Sequence, residues 1–385
     1  MKIAYIGDFI NHGTSLQTAG TSIVILLSGI ENVASIDVYC PKMNEVTEEF
    51  QIPKKVNIIN FYMYDHPLSI MKLLHVQWNK YDAVIFNMLP TGFGKTSLSN
   101  VTALMVPLIL TKLFRIHNIK IVYHNSVFTN DFKTLGYNSF YNRIRSYFLG
   151  RVEKSIFKNI PTFVLLNLYK ERIDKAIGKN KVDVLNAHYL EAITTIYMNN
   201  LIEKKFLETK KTETPIILLH GYWGPQKNVE LALSILSKLN DEGIKFKLVI
   251  SGGVNNHFPN YESKFKKLLG LYSNIIYEYL GYVNEKDLLN MFIKADILLL
   301  PYNVPGGHSG VLEQGMFFEV PTITVDFPEY REEAKGINFV KLINSADGLK
   351  LILKEILQNY TVKNAEINVR EKMKQATNNI QKLLI

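Results

Sequence analysis

Residues 295–325 read "ADILLLPYNVPGGHSGVLEQGMFFEVPTITV". A short aliphatic run of strand length opens into a loop with three glycines, a histidine and a serine before the chain turns apolar again. This is a strand, a turn and a helix start near Ser309 or Gly310, with Ser309 as the cap. The junction offers the N–H groups of Gly310, Val311 and Leu312, backed by the positive end of a helix dipole, which together suit a phosphate. Glycines at 306, 307 and 310 let the backbone approach a ligand closely, with no Cβ in the way. Taken alone, the loop reads equally as a flexible βα connection with an ordinary cap.

The rest of the chain repeats this alternation. Short β-branched runs start at residues 2 ("KIAYIG"), 35 ("SIDVYC"), 56 ("VNIINF"), 82 ("DAVIFNM"), 119 ("IKIVYH") and 161 ("PTFVLL"), with stretches of helical period between them. A second series starts at 216 ("IILLH"), 246 ("FKLVIS"), 275 ("IIYEYL"), 296 ("DILLL") and 322 ("TITV"). That order builds βαβ units and parallel sheets. The polar, lysine-rich segment 199–215 reads as a linker between an N-terminal domain, 1–198, and a C-terminal domain, 216–360. Residues 361–385 read as a C-terminal helix that returns to the first domain. Two such sheets facing one another would bind a ligand beyond the carboxyl ends of their strands, in a central cleft.

Composition agrees with this organisation. A chain of 385 residues exceeds one ordinary core, and 47% apolar with 21% charged residues is the balance of a folded globular protein. A net charge of +9 suits phosphate-bearing ligands, nucleic acid or an anionic membrane without choosing among them. The single cysteine, Cys40, excludes an internal disulfide framework and a cysteine-rich zinc site, which points to a reducing, cytoplasmic setting. "MKIAYIGDF" reads as a strand, so no secretory leader is expected, and no apolar run reaches the length of a membrane span. The basic residues are dispersed and no nucleic-acid module is recognisable, so no nucleic-acid partner is expected. "TGFGKTSL" at 91–98 imitates a phosphate loop but has Leu89 where the first glycine belongs.

In "LLHGYWGPQKNVELALSIL", residues 218–236, a strand and a glycine turn bring Lys227 to a helix start, where a cation would meet a diphosphate held by the Ser309 helix. These motifs, with "LGYV", "KADILLLPY" and "SGVLEQGMFFEVPTI", resemble the donor-binding half of a GT-B glycosyltransferase, in particular the retaining family 4. "HGYWGPQKN" is similar to that family's Gly-Arg-Leu-x-x-x-Lys-Gly turn. The likeness is strongest over 216–325 and carried mainly by pattern over 1–190. It implies an α/β fold of two Rossmann-like, doubly wound domains and a hexosyl transfer from a nucleotide-sugar donor, needing neither cofactor nor metal.

By the same resemblance, Lys227 and the amides around Gly310 hold the donor diphosphate, and His124, Lys227 and Glu313 are the catalytic candidates. Donor contacts fall on Tyr222, His308, Ser309, Gly310, Val311, Leu312, Glu313 and Gln314, and on Gly13 and Gly20 of the first loop. The chain departs from the pattern in three places. Tyr222 replaces the family's arginine and Asn228 the glycine after the lysine. Of two glutamates with seven residues between them, the second falls on Gln314, with Glu313 one residue early, and the first on Gly306.

A diphosphate leaving group needs charge stabilisation, which Lys227 and helix amides can supply before the reaction begins. The acceptor implied is a glycan or a lipid-linked sugar. Residues 133–158 interleave Arg143, Arg145, Arg151, Lys154 and Lys158 with Tyr137, Phe140, Tyr147 and Phe148. Such a helix can lie on an anionic membrane, and it can equally pack its aromatics into the core. Two other functions fit the same motifs: a catalytically silent sugar-nucleotide-binding partner of another transferase, and a sugar-nucleotide epimerase.

Overall fold

A computed structural model describes every residue except 10–14, 43–49, 91, 95, 130–139, 187, 255–257, 259, 305–306 and 363, and leaves out the side chains of 15–17 and 140–145. Gly13 and Gly306 lie outside the described residues, as do Tyr137 and the side chains of Phe140, Arg143 and Arg145. The chain divides into two compact units, Met1–Thr194 with Met373–Ile385, and Thr195–Lys372.

The first unit is built on seven strands: β1 (Lys2–Ile6), β2 (Ser35–Pro41), β3 (Val56–Tyr62), β4 (Ala83–Met88), β5 (Ile119–Tyr123), β6 (Thr162–Val164) and β7 (Val182–Val184). Their order is β3-β2-β1-β4-β5-β6-β7 and every ladder is parallel. Ile3 sits between Ile36 and Ala83, and Tyr5 between Val38 and Ile85. Central strands of a parallel sheet are covered on both faces, so they read as unbroken apolar runs; β4 is buried along its whole length.

The second unit holds β8 (Phe206–Glu208), β9 (Ile216–His220), β10 (Lys247–Ser251), β11 (Tyr277–Gly281), β12 (Ile297–Leu300), β13 (Thr322–Val325), β14 (Val340–Ile343) and β15 (Glu366–Asn368). Six of these form a second parallel sheet, β11-β10-β9-β12-β13-β14, while β8 and β15 pair antiparallel on their own. The segment read as a linker therefore contains a strand, whose partner lies in the C-terminal segment. Its core gathers Trp223, Val229, Leu236, Phe265, Leu299 and Leu353.

Residues 373–385 belong to the first unit: Asn379 Nδ2 donates to the Asn186 carbonyl at 2.7 Å and Lys382 Nζ to that of Val184 at 3.3 Å. Among the described residues no helix is long and apolar enough to cross a membrane.

Both sheets have the doubly wound order. From β1 the chain fills one side with β2 and β3 and then returns to β4 on the other; β9, β10, β11 and β12 repeat the pattern. The loops after β1 and β4, and those after β9 and β12, diverge and open a crevice at each switch point.

Candidate functional site

At the second switch point β9 ends in His220, and Gly221 follows with φ +136°. Gly252, after β10, has φ +115°, and a Cβ there would overlap the Gly221 carbonyl. Two glycines are therefore required where these two backbones touch. His220 is half-buried beneath the turn, with Nδ1 2.8 Å from Ser251 Oγ. Burial, and then the nearby Lys227 charge, lower its pKa to about 4, so it is neutral at pH 7.

The turn closes as a single 3-10 turn over Pro225–Lys227, followed by Asn228 at φ 47°, ψ 43°. The family pattern has glycine here; asparagine is among the few other residues that accept this left-handed conformation at low cost. Asn303 ties the β12 loop to the turn, its N–H donating to the Gln226 carbonyl at 3.1 Å and Nδ2 to that of Pro225 at 3.2 Å. The Lys227 ammonium lies 3.7 Å from the centre of the Tyr302 ring, a cation–π contact. Space for a Cβ at Gly221 is bounded by Lys227 Nζ at 3.5 Å and Val311 Cγ2 at 3.7 Å. Lys227 and the start of the Gly310–Phe317 helix thus share one corner.

Ser309 caps that helix, Oγ accepting from the Leu312 N–H at 3.3 Å. The cap takes one of the three amides expected to serve a ligand. The N–H groups of Gly310 and Val311 precede the first intrahelical bond and have no partner within the helix. Behind the cap is a buried group that sequence reading missed. Glu333, from the Pro328–Glu333 helix, lies 3.1 Å from His308 Nδ1 and accepts from the Ser309 N–H at 3.1 Å. His308 Nε2 is 3.5 Å from Glu313 Oε2. Burial opposes charge on His308, but two adjacent carboxylates overcome it and hold its pKa well above the ordinary value. Glu313 is 1% exposed and Gln314 5%, so both candidates lie inside the packing, Glu313 against His308. Tyr222 is 38% exposed at the turn.

In the first unit, His124 follows β5. Its N–H donates to the Met88 carbonyl at 3.0 Å and its Nε2 is 2.6 Å from Asn87 Oδ1, at the end of β4. Gly20 lies in the Ser15–Ser28 helix, where a Cβ would press on the Asp8 carbonyl and the Tyr5 hydroxyl, so glycine there serves close packing against β1. Among the described residues no group of three histidine, cysteine or carboxylate side chains has a metal-binding arrangement. Glu333 carries no motif, and only its position after β13 hints at a place near the crevice; Tyr302 closes the "KADILLLPY" motif, but no sequence signal assigns it the role of a seat for Lys227.

Residues 202–380 match the family model described as glycosyl transferases group 1. No curated protein sequence matches the chain. Solved structures match it along its length. A sucrose-phosphate synthase from Thermosynechococcus elongatus superposes with a TM-score of 0.62 at 13% identity, covering 100% of this chain and 95% of its own. HepE of Anabaena, solved in complex with UDP and glucose, gives 0.59 at 12%, covering 100% and 94%. WaaG, a glycosyltransferase involved in lipopolysaccharide biosynthesis, gives 0.57 at 15%, covering 99% and 94%. With its two doubly wound sheets and its likeness to these structures the chain has the GT-B fold, and its segment 202–380 matches the glycosyl transferases group 1 family model.

Proposed function

We propose that the protein is a retaining, nucleotide-sugar-dependent glycosyltransferase that delivers a hexosyl group to a glycan or lipid-linked acceptor. The observation that carries this reading is the corner formed by Lys227, Gly221 and Val311, a fixed cation beside a capped helix N-terminus. A diphosphate in that corner would meet the Lys227 ammonium and the Gly310 and Val311 amides. All are held in place before the reaction, which is the arrangement that stabilises a leaving diphosphate. The C1–O bond to the diphosphate breaks as the acceptor hydroxyl attacks from the same face, and the acceptor proton passes to the departing phosphate oxygen. The charge demand falls on the lysine and the amides, so the proposal includes no metal.

In this reading His124 is a candidate contact for the transferred sugar, and Asn87 holds its ring. Glu313 supports the helix start through His308 rather than acting as a base. A pairing of this kind is also what a silent sugar-nucleotide binder would retain, and turnover separates the two.

Peripheral membrane contact through the Phe140–Asn159 helix belongs to the same proposal. Leu149, Ile156 and Phe157 of that helix are buried, whereas Tyr147 and Phe148 are more than half exposed and Arg151 stacks on Tyr147, 5.0 Å from its ring centre.

The test is a calorimetric and thermal-shift panel of UDP- and GDP-sugars against the wild type and Lys227→Ala. One donor bound at micromolar affinity and lost in the variant supports the reading. No binding of any nucleotide sugar overturns it.

A further inference from the structure

Glu153 takes no part in the candidate site, yet it is fully buried in the first unit. It projects from the Phe140–Asn159 helix onto the turn that follows β5. Oε1 accepts from the Tyr123 hydroxyl at 2.8 Å; Oε2 accepts from the Ser126 hydroxyl at 2.5 Å and the Val127 N–H at 3.0 Å. Tyr123 and Ser126 flank the dipeptide His124–Asn125, so one carboxylate grips the chain on both sides of His124. Ser126 extends the grip: its Oγ accepts from the Phe128 N–H at 3.1 Å, and its N–H donates to Thr129 Oγ1 at 2.9 Å.

A buried carboxylate usually has a cation beside it. Among the described residues none pairs with Glu153. Tyr123, from β5, is the titratable group in contact with it. Arg172, from the Asn167–Ile177 helix, donates instead to the Thr129 carbonyl at 2.6 Å. Arg151, on Glu153's own helix, stacks on Tyr147. Three donors converge on an acceptor, and among the described residues no counter-charge fixes its ionisation.

We propose that Glu153 is a positioning residue for His124, and that gain of a proton by its carboxylate loosens the turn that holds the imidazole. The ionised form can accept all three hydrogen bonds at once. The protonated form carries its own O–H, so one of the three donors must turn away or become an acceptor, and the Val127 N–H can do neither. Burial raises the Glu153 pKa, and bonds from Ser126, Tyr123 and Val127 draw it back, to about 7. The grip therefore changes within the physiological pH range. The functional meaning rests on the proposed role of His124; the coupling itself does not.

The test reads the turn directly, without a donor sugar. In wild-type protein labelled with 13C-glutamate and 15N, one glutamate carboxyl resonance should titrate with a midpoint near pH 7. The Asn87 side-chain amide, whose oxygen meets His124 Nε2, should shift with the same midpoint. In Glu153→Gln that carboxyl resonance is absent and the Asn87 step disappears. In Ser126→Ala, which removes one donor and leaves the helix intact, both midpoints move upward together. An Asn87 step that persists unchanged in Glu153→Gln belongs to His124 alone and overturns the proposal, as does a Glu153 carboxyl that titrates near 4.5. If Glu153→Gln does not fold, the Ser126→Ala midpoints decide by the same criterion. Where the nucleotide-sugar panel finds no donor, the titration still stands or falls by itself.

Discussion

The Lys227 ammonium is parked 3.7 Å above the Tyr302 ring, and the two residues come from loops that follow neighbouring strands, β9 and β12. An aromatic face attracts a cation without neutralising it, so the charge is held in place and still available to an anion. An acidic partner would have consumed that charge.

Lys227→Ala should weaken nucleotide-diphosphate binding by about 1.5–3 kcal/mol, which is about ten- to a hundredfold. Tyr302→Leu keeps the charge and loses its seat, so the expected loss is smaller, about 0.5–2 kcal/mol. Calorimetry with UDP and with the matching uncharged nucleoside separates the two effects. If the nucleoside loses as much affinity as UDP in Lys227→Ala, the lysine is not a phosphate contact.

Gly252→Ala should damage the turn far more than its neighbour does. Its φ of +115° and the adjacent Gly221 carbonyl both exclude a side chain, whereas a Cβ at Gly253 meets nothing within 4 Å. The expected cost is at least about 2 kcal/mol for Gly252→Ala and under about 0.5 kcal/mol for Gly253→Ala. Denaturant midpoints of the two variants provide the comparison, and equal midpoints would refute the backbone contact.

His308 links the loop to the fold through charge. Its pKa is raised in the folded state, so it contributes stability that is complete below the unfolded value and is lost as pH rises through the folded one. His308→Gln leaves two buried carboxylates facing a neutral amide and should cost about 3–5 kcal/mol near pH 6. The gap between variant and wild type should narrow as melts are repeated toward pH 9. A gap independent of pH would mean that His308 is held as a neutral ring.

Much of this was readable from the residues, for physical reasons. β1, β4, β9 and β12 are buried centrally and announce themselves as apolar runs. β7, β8 and β15 have three residues each, too few to show a period, and β8 lay hidden in a lysine-rich stretch whose partner is 158 residues away by pairing of Glu208 with Glu366. Ser309 and Lys227 stand at βα junctions, where cap and turn chemistry is local. Glu333 and Glu153 reach their partners across the fold, and a lone glutamate in a helix looks like any solvated charge. The burial of Glu313 was illegible for the same reason, since it depends on His308 turning inward.

The exposed pair on the Phe140–Asn159 helix makes the last prediction. Tyr147 and Phe148 are 58% and 59% exposed, while the residues that anchor the helix, Ile156 and Phe157, are fully buried. Exposed aromatics beside Arg151, Lys154 and Lys158 suit an anionic bilayer, where rings enter the interface and cations meet headgroups. Co-sedimentation with phosphatidylglycerol vesicles should fall at least about tenfold in partition coefficient when both aromatics become serine, about 1.4 kcal/mol. Raising salt should weaken binding of both forms, because the basic residues remain. Neutral phosphatidylcholine vesicles should retain little of either protein. Equal sedimentation of wild type and double variant would remove the helix from any membrane role, and would leave the acceptor to be sought among soluble glycans.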